Sequence, residues 1–247
     1  YLLKQIYQHL QSMSELTLPK QVVKAARKSP KNMIIYGPPK IGKTTALSKL
    51  ENCLIIDLED GSDMVDALKI KVNSLAELAQ VGQAIISEGK PYKYIAIDTI
   101  TQLEVWCEDE AKKMYQATPM GKNFDQQNKG LSVLTLPQGA GYLYLRKAFM
   151  KWFFRLSKLA DHVIFVGHLK DKYLTKNGKE VKANDLSLSG KLREITCANA
   201  DAIGLVYRGQ ETTKISFDST NDDTAGSRCE HLRGLDAELD WSKIFID

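Results

Sequence analysis

Eight residues near the start of the chain combine the groups that bind phosphate. The run Gly-Pro-Pro-Lys-Ile-Gly-Lys-Thr spans Gly37 to Thr44 and fits the pattern G-x-x-x-x-G-K-[ST], the P-loop. Its glycines let main-chain N–H groups approach a phosphate, and the start of a following helix adds partial positive charge. The Lys43 ammonium can reach the β- and γ-phosphates, while the Thr44 hydroxyl can ligate Mg²⁺. These residues predict a site for a nucleoside triphosphate with magnesium.

The neighbouring segments have the composition that this motif needs. Residues 32–36 form a short apolar run typical of a strand, and residues 45–50 have the composition of a helix. Strand, loop and helix are the structural unit of a P-loop. We therefore predict ATP and Mg²⁺ as cofactors, with the nucleotide bound by Gly37, Pro38, Pro39, Lys40, Ile41, Gly42, Lys43, Thr44 and Thr45.

Two later apolar runs end in acidic residues that could complete the chemistry. The run from Tyr92 to Asp98 resembles a Walker B strand, so Asp98 is predicted to join Thr44 at the metal. Thr99 follows it, and no Glu stands there to activate water. Glu59, just beyond the strand predicted for residues 53–57, is the alternative acid. It would point toward the γ-phosphate if that strand lies beside the P-loop strand.

The remaining segments predict alternating helices and strands. A helix capped by Ser74 is expected over residues 75–88, and Asn177-Gly178 indicates a β-hairpin turn. The pattern predicts further helices over 100–116 and 142–160, a long loop over 117–141, and strands over 162–167, 202–208 and 214–217. This order predicts an α/β fold with a mainly parallel central sheet flanked by helices, a β-hairpin insertion and antiparallel C-terminal strands.

The composition limits the class of protein but does not indicate a function. The 247 residues are 43% hydrophobic and 26% charged, which is typical of a soluble globular protein, and they contain no apolar run long enough to span a membrane. A net charge of +4 permits nucleic-acid binding without arguing for it. The four cysteines form no C-x-x-C pair, so a cytoplasmic location with reduced thiols is expected. We expect an N-terminal helical and basic arm over 1–31, an ATPase core over 32–210, and C-terminal strands with an acidic tail over 211–247.

Several of these motifs together resemble the RecA/RadA recombinase superfamily. Residues 56–63 are similar to the segment carrying that family's catalytic Glu, residues 95–99 to its Walker B strand, and residues 165–170 to its phosphate-sensing strand. The resemblance covers roughly residues 30–210. More narrowly, the chain looks like the compact RecA-like ATPases of phages, including single-strand annealing proteins of the Sak type. It shares with them a segment like that over 136–142.

The resemblance implies roles for particular residues. Lys43, Glu59 and Asp98 would be catalytic, and His168 would sense the γ-phosphate where the recombinases usually have Gln; a purely structural His at a strand end is the alternative. The segments 118–141 and 171–186 lie where recombinases place two DNA-binding loops, although the second could be only a solvated ribbon. A cation that acts on a neighbouring subunit's nucleotide would be Lys191, Arg193 or Arg208. The DNA-binding residues implied are Lys170, Lys172, Tyr173, Lys176, Lys179 and Lys182.

The function predicted is therefore an ATPase that binds single-stranded DNA in phage recombination or replication, with strand annealing as one output. Its expected partners are single-stranded DNA, further copies of itself in a ring or filament, and a phage single-stranded-DNA-binding protein, in the cytoplasm of a bacterial host. Two alternatives stay open: a P-loop ATPase that assembles other proteins or loads a helicase, and a small-molecule P-loop kinase.

Overall fold

The computed structural model describes residues 18–176, 179–219 and 222–246. The amphipathic helix predicted within residues 2–10 lies outside these ranges. Residues 18–31, which carry the basic part of the predicted arm, contain neither helix nor strand.

A large sheet organises the described residues. Its strand order is β10-β8-β7-β1-β5-β4-β2-β3, with β6 paired to β5 and β9 paired to β7. The six strands from β7 to β3 in this order run parallel, and the remaining pairings are antiparallel. The strands are β1 (Asn32–Gly37), β2 (Cys53–Asp57), β3 (Leu68–Lys71), β4 (Tyr94–Asp98), β5 (His162–Lys176), β6 (Lys179–Leu186), β7 (Ala202–Arg208), β8 (Thr213–Ser216), β9 (Gly226–Ser227) and β10 (Asp236–Glu238).

Helices cover both faces of this sheet, because successive strand residues point to opposite faces. On β1, Ile34 and Tyr36 belong to one buried apolar cluster, whereas Met33 and Ile35 belong to the other. The helices are α1 (Lys43–Leu47), α2 (Leu75–Ser87), α3 (Ile100–Gln116), α4 (Phe124–Gln127), α5 (Ala140–Leu156), α6 (Gly190–Ala198) and α7 (Trp241–Ile244). The first cluster lies against α2, α3 and α5, and the second against α1 and α7.

The predicted fold class is confirmed: the sheet is mainly parallel and flanked by helices, with a hairpin and antiparallel C-terminal strands. The hairpin differs from the expectation in one respect, because β5 does not stop near His168. It continues as one strand to Lys176 and pairs with β6 in antiparallel register. The predicted Asn177-Gly178 turn lies outside the described residues. No helix in the described ranges is both long and apolar enough to cross a membrane.

The order of the strands corrects one sequence-based expectation. The strand before Glu59 does not lie beside the P-loop strand, because β5 and β4 stand between β1 and β2. Pairing order is a long-range property that a strand's own residues do not encode. Any approach of Glu59 to the P-loop must therefore come from the loop that follows β2.

Candidate nucleotide-binding site

The P-loop is shaped by two glycines and leaves its lysine buried. A Cβ atom on Gly37 would lie 2.2 Å from the main-chain oxygen of Val206, so only glycine fits this contact between β1 and β7. Gly42 has a φ of 97°, a conformation that glycine adopts without strain. The Lys43 ammonium donates to the carbonyl oxygens of Gly37 and Pro38 at 2.9 and 2.8 Å. A phosphate placed in the loop would compete with these two oxygens for Lys43.

The two predicted metal ligands are in direct contact. The Thr44 hydroxyl donates to an Asp98 carboxylate oxygen at 2.7 Å. Burial raises the pKa of Asp98 above its ordinary value, the hydrogen bond from Thr44 offsets part of that rise, and the charges of Asp57 and Glu59 add to it. Burial likewise lowers the pKa of Lys43, against the attraction of Asp98 and Glu59. The site therefore brings together the buried carboxylates of Asp57 and Asp98 with the more exposed carboxylate of Glu59.

This donor set fits magnesium bound together with a nucleotide. In the described part of the chain, no group of three or more His, Cys, Asp or Glu side chains could hold a metal alone. Mg²⁺ in nucleotide sites uses one or two protein oxygens, with phosphate oxygens and water as the other ligands. The hydroxyl of Thr44 and the carboxylate of Asp98 supply such oxygens, and a divalent cation would offset the concentrated negative charge.

The loop after β2 brings Glu59 across the strand ends into the site. The Asp57 carboxylate accepts main-chain hydrogen bonds from Glu59, Gly61 and Ser62 at 3.0, 3.3 and 2.8 Å, which fixes the turn of this loop. Although burial alone would raise it, hydrogen bonds from Ser62 and from the Glu59 and Gly61 amides lower the pKa of Asp57. The Asp60 side chain meets Lys71 of β3 at 2.5 Å. The turn thus carries Glu59 past β4 toward β5.

Glu59 is held there by two side chains. The Thr99 hydroxyl donates to Glu59 Oε1 at 2.5 Å, and His168 Nε2 lies 3.0 Å from each Glu59 oxygen. Thr99 also caps α3, because its hydroxyl oxygen accepts the Gln102 N–H at 3.2 Å. The His168 main-chain N–H donates to Thr101 Oγ1 at 3.2 Å. Lys43, Thr44, Glu59, Asp98 and His168 therefore occupy one region at the carboxyl edge of the sheet.

Thr99 has a contact role that the sequence interpretation missed. Its position between a buried strand and a helix was a signal for a capping residue. The sequence does not show that the same hydroxyl would orient Glu59, since that contact joins residues 40 positions apart.

The predicted DNA-facing side chains differ in their availability. Tyr173 is 59% exposed, and Lys172 is partly exposed. Lys182 forms an ion pair with Asp171 at 3.0 Å, and Lys170 donates to the Leu188 carbonyl oxygen at 2.5 Å. The side chains of Lys176 and Lys179 lie outside what the structure describes. Among the described side chains of this set, those of Lys172 and Tyr173 form neither a hydrogen bond nor an ion pair, and Tyr173 lies opposite Lys182 in the β5–β6 pairing.

The three predicted intersubunit cations also occupy different environments. Lys191 is exposed in the first turn of α6. Arg193 forms an ion pair with the buried carboxylate of Asp185. Arg208 is exposed at the carboxyl end of β7, the strand beside the P-loop strand.

Replacing Asp98 by Asn is expected to raise the melting temperature of the ligand-free protein while removing magnesium-dependent activity. Because the folded-state pKa of Asp98 is raised, ionisation costs free energy in the fold above that pKa. Asn keeps the acceptor for Thr44 and carries no charge. At pH 7 we therefore expect the melting temperature of the variant to lie above that of the wild type.

The pH dependence of this gain in melting temperature serves as a control. As the pH is lowered from 7 toward 4, the raised pKa means that the carboxyl group takes up its proton earlier in the folded state than in the unfolded state, so the advantage of Asn should shrink. The exposed Asp161→Asn variant should show no gain at either pH. A lower melting temperature for Asp98→Asn at pH 7, measured by thermal unfolding, would contradict this account.

Comparison with known families gives a match over most of the chain. Residues 29–229 match the family described as AAA domain, and this range contains all five residues gathered at the site. No curated protein matches the chain. Among known structures, the chain is similar to a crystal structure of the RadB recombinase, at 14% sequence identity and a TM-score of 0.39. That similarity covers 76% of this chain and 80% of the other.

Proposed function

The chain belongs to the AAA domain family, and on this premise we propose that it is a RecA-like ATPase that binds single-stranded DNA under the control of its nucleotide. The observation that carries the proposal is the course of β5. This one strand contains His168, which contacts the candidate catalytic Glu59, and it continues into the exposed hairpin. A nucleotide-dependent change at His168 therefore acts on the same strand that presents Lys172 and Tyr173.

On the nucleotide side, Glu59 contacts both His168 and Thr99. Both oxygens of Glu59 face the His168 ring, and Thr99 donates to one of them. A γ-phosphate would attract the His168 N–H and leave Glu59 to polarise the attacking water. Lys43 would leave the P-loop carbonyls for the phosphates. When bound, Mg²⁺ held by Thr44 and Asp98 would neutralise phosphate charge.

On the DNA side, the hairpin presents a cation on one face of β5 and an aromatic ring on the opposite face. Lys172 can neutralise a phosphate, and the exposed Tyr173 ring can stack on a base, the combination that binds single strands without sequence preference. His168, Lys170 and Lys172 stand two residues apart along β5, so they share one face of the strand. A rotation of the strand at His168 would therefore change how this face meets DNA.

The oligomeric state and the biological context are part of the same proposal. We propose a ring or filament of identical subunits in which a cation from one subunit reaches the nucleotide of the next. Lys191 and Arg208 suit that role better than Arg193, which Asp185 engages. Phage recombination or replication in a bacterial cytoplasm, with a phage single-stranded-DNA-binding protein as partner, is the context that the sequence resemblance supports.

A fluorescence titration of labelled single-stranded DNA tests this function. With a non-hydrolysable ATP analogue and magnesium, we expect the DNA affinity to rise about tenfold, a coupling free energy in the usual range for linked sites. The variant Lys172→Ala/Tyr173→Ala should lose most of the affinity, whereas the matched surface variant Lys158→Ala should not. Double-stranded DNA serves as the competitor.

The outcomes separate the possible functions. Equal DNA affinities with and without the ATP analogue would contradict the proposed coupling between nucleotide binding and DNA binding. ATP hydrolysis without any binding of single-stranded DNA would favour the assembly or helicase-loading alternative. Phosphate transfer that requires an added small-molecule acceptor would favour a kinase.

A further inference from the structure

The hairpin formed by β7 and β8 touches the P-loop from the side away from β5. The Thr213 hydroxyl donates to the main-chain oxygen of Ile41 at 3.2 Å. A Cβ built on Gly42 would lie 3.6 Å from the same hydroxyl oxygen, which is an ordinary van der Waals distance. Arg208 Nη1 lies 3.5 Å from Thr213 Oγ1, on the neighbouring strand. Thr213 therefore stands directly against the peptide between Ile41 and Gly42.

We infer that Thr213 is a positioning residue that sets the direction of the Gly42 N–H and so controls nucleotide affinity. The inference rests on the proposed binding of a nucleotide at this loop. A trans peptide is planar, and its C=O and N–H point in opposite directions. Because the Ile41 carbonyl points at Thr213, the Gly42 N–H points away from the hairpin, as an amide must if it donates to a phosphate held by the loop.

This peptide needs an external partner because its own residues restrain it little. Gly42 has a φ of 97° and no side chain, so rotation of the peptide meets a small steric barrier. If the peptide rotated, the Ile41 carbonyl oxygen would face the phosphate in place of the Gly42 N–H. The loop would lose one donor and gain a repulsive contact with an anion.

The C-terminal part of the chain also anchors the other end of the P-loop helix. Trp241 Nε1 of α7 donates to the Ala46 carbonyl oxygen of α1 at 2.7 Å. The Leu239 N–H donates to the Thr213 carbonyl oxygen at 3.0 Å, which links the two anchors. A helix of only five residues depends on such external contacts for its placement. Thr213, Leu239 and Trp241 thus hold the loop and its helix from outside.

The variant Thr213→Val tests the hydroxyl with almost no change of shape. We expect the dissociation constant of ADP to rise about tenfold, the usual cost of a lost hydrogen bond near a charged ligand. The KM for ATP should rise by a similar factor with kcat within about twofold, because a phosphate contact made equally in ground and transition states changes binding alone. Thr213→Ser restores the hydroxyl and should recover most of the affinity.

The control lies one residue away. Thr212 uses its main-chain oxygen to accept the Gly209 N–H at 2.9 Å, a contact that Thr212→Val keeps, so its ADP affinity should equal that of the wild type. ADP binding is measured by calorimetry, and the melting temperature of each variant by thermal unfolding. Unchanged ADP affinity in Thr213→Val, no recovery in Thr213→Ser, or an affinity loss that follows a drop in melting temperature would each overturn the inference.

A failure of this inference can be distinguished from a failure of the proposed function. A wild-type protein that binds ADP but neither hydrolyses ATP nor couples it to DNA would end the proposed function and leave the Thr213 comparison valid. A wild-type protein that binds no nucleotide would overturn both.

Discussion

Replacing Glu59 by Gln is expected to lower the rate of ATP hydrolysis by about 10²–10³-fold, within the range that loss of a general base causes. The carboxamide keeps the size of the side chain and an oxygen that can accept from Thr99. It cannot polarise water as a carboxylate does. Glu59 attracts the Lys43 ammonium, but its hydrogen bonds are to Thr99 and His168, so nucleotide affinity should stay within about threefold. Steady-state phosphate release and ADP binding measure the two quantities.

Glu104→Gln is the matched control for this experiment. Glu104 is a buried carboxylate of α3, the helix that follows β4, with a pKa raised by burial, whereas Glu59 is more exposed. It accepts the Ser189 N–H at 3.0 Å, a contact that a carboxamide oxygen preserves. Its substitution should leave phosphate release near the wild-type rate. Normal turnover in Glu59→Gln together with loss in Glu104→Gln would transfer the proposed role to Glu104.

The second large effect is expected from His168→Ala. If His168 couples the nucleotide site to the β5–β6 hairpin, its removal should abolish the gain in DNA affinity that the ATP analogue causes. The gain should fall from about tenfold to a ratio of about one. The measured quantity is the ratio of DNA dissociation constants without and with the ATP analogue. His168→Gln should restore part of the ratio, because its side-chain amide can also donate to Glu59 or to a phosphate.

A histidine elsewhere provides the comparison. His231 Nε2 lies 2.9 Å from the Ile244 carbonyl oxygen, near the C-terminal end of the described chain, and His231→Gln should keep the full ratio. A persistent tenfold gain in His168→Ala would show that β5 transmits the signal without this side chain, or that another element does so.

Much of the fold follows from local patterns in the sequence. The strands predicted over 53–57 and 202–208 and the helix predicted over 100–116 have the observed bounds. Their apolar runs are buried on one or both faces, and Thr99 caps the helix, so local signals and tertiary packing agree. The strand β3 was missed because its four residues, Leu-Lys-Ile-Lys, are all exposed and too few for a periodic pattern. The helix predicted over 142–160 ends at Leu156.

The arrangement of the site was harder to predict from the sequence than the fold, because it depends on contacts between residues that are distant in the chain. The P-loop and Asp98 carry local motifs, and the structure brings Thr44 and Asp98 into contact. The position of Glu59 depends on the order of the strands and on a turn that Asp57 fixes. Neither feature produces a periodic pattern in the sequence. Thr213 and Trp241 contact the P-loop and its helix from more than 170 residues away. Contacts of that separation are decided by topology.

The pairing of β5 with β6 has an architectural consequence. In the described ranges β6 pairs with β5 alone, and Leu169 to Lys176 face Leu186 to Lys179 in unbroken register. Matched insertions or deletions in the two arms would therefore lengthen or shorten the ribbon without disturbing its neighbours, by about 3.4 Å for each added pair. The length of this ribbon is thus free to evolve separately from the candidate nucleotide-binding site.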